Sequence, residues 1–223
     1  MKGKHLKAYN DMKKQLMAET GEDNVVLFAQ NHMVKAGRLK QLAQSYIETA
    51  VTTNDEGEEE IEVTPIEPSP KLDLLMDTLQ DVEGTPLLVW FDSVKFMRLA
   101  QARLDKEGTK YALIDGSMSA EKRYQAVQAF QGGEVDMILL SIHAAAEGVT
   151  LTRAPLAIDV ERSWSLLLED QRRKRNNRIG SEIHDEIRTI VLMTKDTIEE
   201  DQFADLAQKR ETRDQVISPL SVS

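Results

Sequence analysis

The sequence predicts an α/β protein: a parallel sheet with helices on both faces, preceded by helical segments and a small acidic hairpin or loop. Two observations carry this. From residue 86 onward, short apolar runs alternate with amphipathic stretches: Leu87 to Phe91, Tyr111 to Ile114, Met137 to Leu140, Leu156 to Ile158 and Ile187 to Met193. Between them lie helical patterns at 94–107, 119–131 and 165–178. Strands that read as continuous apolar runs are covered on both faces, and strand–helix alternation makes them parallel.

Before that region, residues 4–49 place Leu6, Tyr9, Met12, Leu16 and then Leu39, Leu42, Ala43, Tyr46 and Ile47 three or four apart, which predicts two amphipathic helices. Residues 51–63 hold β-branched positions around a polar turn, with six acids between 55 and 62, as in a solvated hairpin or loop. Pro65, Pro68 and Pro70 make a stiff connector, and Lys71 to Met76 restarts a helix. The expected division is a helical lead-in over 1–70, the α/β lobe over 71–195, and a brace helix with tail over 196–223.

Composition narrows the function. With 223 residues, 41% of them hydrophobic, one sizeable core with appendages is the expectation. The absence of cysteine excludes disulfides, thiolate catalysis and cysteine-ligated zinc. His5, His32, His143 and His184 are too far apart in sequence to suggest a local metal motif. No apolar run approaches 18 residues and no apolar signal core follows Met1, so a cytoplasmic protein without membrane contact is expected. A net charge of −10 means that any nucleic-acid contact comes from a local patch, and the basic run at 172–178 is one.

That run carries the chemistry. In Gln171-Arg172-Arg173-Lys174-Arg175-Asn176-Asn177-Arg178-Ile179-Gly180, a helix would set Arg175 and Arg178 roughly 40° and −20° around the axis from Gln171, so one face presents an amide and two guanidinium forks. Guanidinium stays charged and binds phosphate oxygens in pairs, which suits a nucleotide γ-phosphate. Taken alone, such a cluster is equally a solvated basic helix. Upstream, Met137 to Leu140 run into Ser141-Ile142-His143-Ala144-Ala145-Ala146-Glu147-Gly148-Val149-Thr150-Leu151-Thr152, a loop of small residues through which backbone can approach a phosphate.

Together these two segments resemble motifs V and VI of the Swi/Snf branch of the superfamily-two helicase-like ATPases, through Ser141, Ala144, Gly148, Leu151, Thr152, Gln171, Arg175 and Arg178-Ile179-Gly180. Leu88 to Ser93 is similar to the family's motif IV strand, and Ile114-Asp115-Gly116-Ser117-Met118-Ser119 to its Asp-Gly-Ser turn, where Ser117 or Ser119 would cap a helix offering N–H groups to phosphate. Arg38 to Leu42 resembles the family's helical segment, Ser69-Pro70-Lys71-Leu72 its entry to the second lobe, and Thr197-Ile198-Glu199-Glu200 with the following helix its closing brace.

The resemblance implies the second, carboxy-terminal RecA-like lobe of an ATP-dependent double-stranded DNA translocase. It implies that Arg175 and Arg178 reach a γ-phosphate held by the first lobe, with Gln171 positioning them. It places Glu147 and Gly148 near the nucleotide, and Ser93, Gly116, Ser117, Ser141, His143 and Thr150 along one DNA strand. The chain departs from the family at Ala145 and Ala146 (usually glycines), Lys174 (usually an acid) and Ser181 (usually Gln).

No Gly-x-x-x-x-Gly-Lys-Ser/Thr and no Walker-B acid pair occurs, so ATP and Mg²⁺ are expected mainly on the first lobe, and this chain alone is expected to be inactive. The competing reading is a stand-alone nucleic-acid or protein-binding module using the 172–178 patch. A methyltransferase or dehydrogenase would need a glycine-rich turn after the first strand, where Phe91-Asp92-Ser93-Val94 stands instead. The lack of the long insertions found in chromatin remodellers suggests a compact bacterial or viral member.

Overall fold

The structure, a computed structural model, describes residues 1, 3–18, 25–53, 57, 59–144, 151–174 and 183–217. Its contacts divide the chain into two compact units: Met1–Asp77 with Met193–Glu200, and Thr78–Leu192 with Asp201–Ser223.

The first unit holds α1 (Gly3–Ala18), α2 (Val25–Gln44), β1 (Tyr46–Thr53), β2 (Glu59–Ile66) and the start of α3 (Pro70–Asp81). Its core gathers Tyr9, Leu39, Leu42 and Ala43, joined by Met1, Met12, Ile47 and Ile198. Tyr46 and Ile47, expected at the end of a helix, instead open β1. Ser45 N–H closes the last turn onto Gln41 O at 3.2 Å, and Tyr46 then pairs with Ile66 across an antiparallel hairpin whose strands are eight residues each. The run Tyr-Ile-Glu-Thr-Ala-Val-Thr-Thr is aromatic and β-branched, and partner strand β2 supplies hydrogen bonds that a helix would otherwise have made.

Register explains how the hairpin is seated. One face carries Ile47, Thr49, Val51 and their partners Pro65, Val63 and Ile61; Val63 and Pro65 are buried, whereas Val51 and Ile61 are exposed.

Residues resembling the family's lobe entry and closing brace meet in this unit. Ser69 starts α3, its hydroxyl donating to Gln44 O at 2.8 Å and accepting from Leu72 N–H at 3.2 Å. Lys71, 3% exposed, forms a buried ion pair with Glu199. Glu199 in turn accepts from Thr194 N–H at 2.8 Å, and the Thr194 hydroxyl donates to Ala43 O at 2.8 Å.

The second unit is the α/β lobe. Five parallel strands lie in the order β4 (Ala112–Ile114), β5 (Met137–Ser141), β3 (Leu87–Phe91), β6 (Leu156–Asp159) and β7 (Arg188–Val191). Strands β3, β5 and β6 are buried at every position, as their unbroken apolar runs require, while β7 at the sheet edge is largely exposed. Between the strands run α4 (Val94–Lys106), α5 (Ala120–Gln131) and α6 (Leu166–Arg173), and α7 (Ile198–Ile217) follows β7. Helix α4 buries Phe96, Met97, Ala100 and Leu104, one face at helical spacing. A core of Leu88, Trp90, Ile114, Phe130, Ile138, Leu140 and Leu151 packs one side of the sheet, each such side chain contributing roughly 1.5–3 kcal/mol by its burial.

The chain starts this sheet at its centre, builds β4 and β5 to one side and β6 and β7 to the other. The crevice beyond the carboxyl end of β3 is therefore the topological switch point, where ligands of open α/β sheets bind.

Candidate nucleic-acid and nucleotide interface

Three loops converge at that switch point. After β3, Ser93 takes an extended conformation and caps α4, its hydroxyl accepting from Phe96 N–H at 3.2 Å. Asp92 and Ser93 donate their N–H groups to one carboxylate oxygen of Glu161, at 3.2 and 2.9 Å, and Glu161, just past β6, is only 3% exposed. After β5, His143 Nε2 lies 3.2 Å from Asp92 Oδ1 with its side chain 61% exposed. Glu161 thus ties the end of β6 to the turn after β3, and Asp92 ties that turn to the end of β5.

A second turn lies beyond β4. Asp115 is fully buried and accepts from the Ser117 N–H at 2.8 Å and the Ser117 hydroxyl at 2.6 Å, and pairs with Arg98. Burial pushes its carboxyl up, but Ser117, Arg98 and Arg123 together outweigh this and hold it below the usual carboxylate value. The cap of α5 is Ser119, which accepts from Lys122 N–H at 3.3 Å, so the choice between Ser117 and Ser119 falls to Ser119. Gly116 and Ser117 are exposed, and a Cβ at Gly116 would meet nothing within 4 Å, so the backbone here is open to a ligand.

The sequence-based site residues thus have different surroundings. Ser93, Gly116, Ser117 and His143 lie at the carboxyl edge of the sheet. Ser141 closes β5 with 1% exposure, so its side chain is enclosed by protein. Gln171 is half-buried near the end of α6. Glu147, Gly148, Thr150, Arg175 and Arg178, with Ala145, Ala146 and Ser181, lie outside the described residues.

Arg172, counted above as part of a basic patch, is buried with 4% exposure. Its guanidinium is shared by Asp159, the last residue of β6, and Glu169, 3.0 Å from Nη2. Glu169 is fully buried and also accepts from Arg162 Nε at 3.1 Å and from Ser163 N–H at 2.9 Å. The Arg172 guanidinium stands 6.0 Å from the centre of the Trp90 ring. Burial pushes the Asp159 carboxyl up to about 6, with Arg172 pulling the other way. For Glu169, burial also acts upward, but Arg172, Arg162 and the Ser163 N–H prevail and lower it.

This cluster was missed in reading the sequence; its signals there were Asp159 at the end of an apolar strand and Glu169 and Arg172 at i, i+3 on one helix face. Beyond α6, α7 is joined to it: Arg213 and Arg210 pair with Asp170, the latter at 3.5 Å, and Gln202 donates to Arg162 O at 2.9 Å.

Comparison with known proteins places this geometry. The helicase conserved C-terminal domain matches residues 70–180, from the first residue of α3 to the Gly of Arg178-Ile179-Gly180. Over these residues the chain belongs to the helicase conserved C-terminal domain family. This helicase lobe is 30% identical over 155 residues to the chromatin-remodeling ATPase INO80 of Candida albicans, 68% of this chain and 11% of that protein. It is 30% identical over 150 residues to the helicase-like transcription factor of Oryctolagus cuniculus, 64% of this chain and 15% of that protein.

Among solved structures, the Sulfolobus solfataricus SWI2/SNF2 ATPase C-terminal domain has the same fold, with a TM-score of 0.67 and 20% identity, covering 92% of this chain and 81% of that one. The C-terminal part of the Fun30 ATPase domain follows at a TM-score of 0.57 and 24% identity, over 61% of this chain and 45% of that one. The chain therefore spans only a small part of these two relatives, 11% and 15% of their length. Among the described residues, no helix is long and apolar enough to cross a membrane.

Proposed function

We propose that this helicase lobe is the second motor lobe of an ATP-driven double-stranded DNA translocase. A first RecA-like lobe would hold ATP and Mg²⁺. Among the described residues no three His, Asp or Glu side chains converge as a metal ion would need, and no step on this lobe is routed through the ion. The observation that carries the reading is the placing of Ser93, the exposed Gly116-Ser117 turn and His143 at the sheet's carboxyl edge, with Gln171 on α6 preceding Arg175 and Arg178 in sequence.

In this reading, Ser93, the Gly116-Ser117 turn, His143 and Thr150 follow one phosphate backbone, and Ser141 contributes through its main chain because its side chain is enclosed. Helix amino ends and backbone N–H groups bind phosphate without reading sequence, so the grip is non-specific. Glu147 and Gly148 sit by the nucleotide at the interlobe cleft. Arg175 and Arg178, set by Gln171, neutralise charge developing on the γ-phosphate, and closing and reopening of the two lobes moves the grip along the duplex. Arginine fingers contribute on the order of 10³–10⁵ in rate.

ATP turnover tests this directly. Alone, the chain is expected to hydrolyse nothing. Paired with a first lobe carrying the phosphate-binding loop, it turns over ATP, faster with double-stranded DNA. Arg175→Ala and Arg178→Ala each abolish that stimulated turnover while leaving the far-ultraviolet spectrum unchanged. Near-parental turnover in both variants would remove the fingers, and DNA-independent turnover in the parent would remove the motor.

Of the cellular setting, a cytoplasmic location stays part of the proposal. A bacterial or viral origin draws no support from the relatives above, which come from a yeast and a rabbit.

A further inference from the structure

We propose that Arg172 is a positioning residue: its buried fork fixes the rotation of α6 about its own axis, and so the direction in which Gln171 projects and the chain leaves at Lys174. The inference rests on the motor reading for its functional consequence and on α6 alone for its structural one.

The two carboxylates that Arg172 joins come from different elements. Asp159 ends β6, the strand beside the central β3, at the sheet's carboxyl edge, and Glu169 sits one turn earlier than Arg172 on the same helix. Satisfying both at once ties the helix to the sheet in one orientation. Glu169 cannot turn to follow a rotated helix, because Arg162 Nε at 3.1 Å and Ser163 N–H at 2.9 Å hold both of its oxygens. The Trp90 ring, its centre 6.0 Å away, flanks the guanidinium.

Magnitudes separate this role from simple stabilisation. Buried ion pairs are no better for stability than apolar side chains of equal volume, because desolvation offsets the attraction. Their hydrogen bonds are directional, whereas apolar contact is not. At the outer radius of a helix, about 5–6 Å, a rotation of about 20° moves a side chain by about 2 Å. A misplacement of about 1 Å at a reacting group costs about 10²-fold in rate. A helix that hands the chain on to a pair of phosphate-binding groups has reason to be pinned by a fork rather than by grease.

The test compares Arg172→Lys, Arg172→Met and the double variant Asp159→Asn/Arg172→Met with the parent. Three quantities are read: the thermal midpoint of the full chain, amide exchange of residues 166–174 in the full chain, and ATP turnover when the chain is paired with a first lobe. The double variant removes the buried charge pair and is expected to regain much of the midpoint that Arg172→Met loses. In it, amide exchange across α6 is still at least about tenfold faster than in the parent, and kcat at least about tenfold lower with KM for ATP within about twofold.

Recovery of exchange and kcat in step with the midpoint would make Arg172 merely structural. Failure of every variant to regain the midpoint would do the same. Should the parent pair show no DNA-stimulated turnover, the motor reading fails, while the exchange data still decide whether Arg172 orients α6.

Discussion

At the scale of single residues, the decisive distinction is between guanidiniums held by buried carboxylates, such as Arg172, and exposed ones, such as Arg173. Arg172 has two buried carboxylate partners, so Arg172→Ala leaves Asp159 enclosed without its cation and Glu169 with one partner fewer. The expected loss is about 3–5 kcal/mol at pH 7, read by denaturant unfolding. Its pH dependence has a definite sign. Burial already raises Asp159 to about 6 from an ordinary 3.8, so ionising it costs stability as pH rises through that window. Without Arg172 the Asp159 value rises further, so the gap between variant and parent narrows as pH falls from 7 to 5. A gap that widens towards pH 5 would show that the pair is not the source of the effect. Ser93→Ala, which removes the cap of α4, is expected to cost about 1 kcal/mol by the same measurement.

Secondary-structure elements show how far local preference reached. The helical spacing of Leu39, Leu42 and Ala43 does form α2, but Tyr46 and Ile47 went to the hairpin, because a strand partner eight residues long was available in Glu59–Ile66. In the first unit, α3 and the segment Met193–Glu200 are joined by Lys71–Glu199, a pair 128 residues apart in sequence. Lys71→Ala strands a buried carboxylate that also receives the Thr194 N–H, and is expected to destabilise by about 3–5 kcal/mol. Calorimetry should show that loss, and Lys71→Met/Glu199→Gln should recover most of it, since no charge is then buried and the amide oxygen can still accept the Thr194 N–H.

For the molecule as a whole, −8 of the −10 net charge sits on residues 41–70, where eight acids meet no base: Glu48, Asp55, Glu56, Glu58, Glu59, Glu60, Glu62 and Glu67. The remaining chain is close to neutral, at −10 − (−8) = −2, which removes the apparent conflict between an acidic protein and the phosphate grip proposed for the sheet edge. Weakening the hairpin's charge by Glu→Gln changes at 58, 59, 60 and 62 is expected to raise duplex affinity only slightly, without altering the slope of affinity against salt, because that slope counts phosphates neutralised by cations. A changed slope in a filter-binding or anisotropy titration would place the hairpin on the DNA path.

The sheet's central strands and the helices beside them were legible in the chain, because fully buried strands demand unbroken apolar runs and the helices covering them demand one apolar face; both are local periodicities. The sequence also marked the carboxyl-edge turns and the family, because small residues, Ser and Asp at strand ends follow from chain geometry. Which charged residues are internal was settled by long-range packing. Arg172 and Arg173 are neighbours in sequence and read alike, yet one is buried against Asp159 and the other exposed. Whether a charge lies inside depends on which distant carboxylate the fold brings to it, and pairings such as Lys71 with Glu199 leave no periodic trace in the chain.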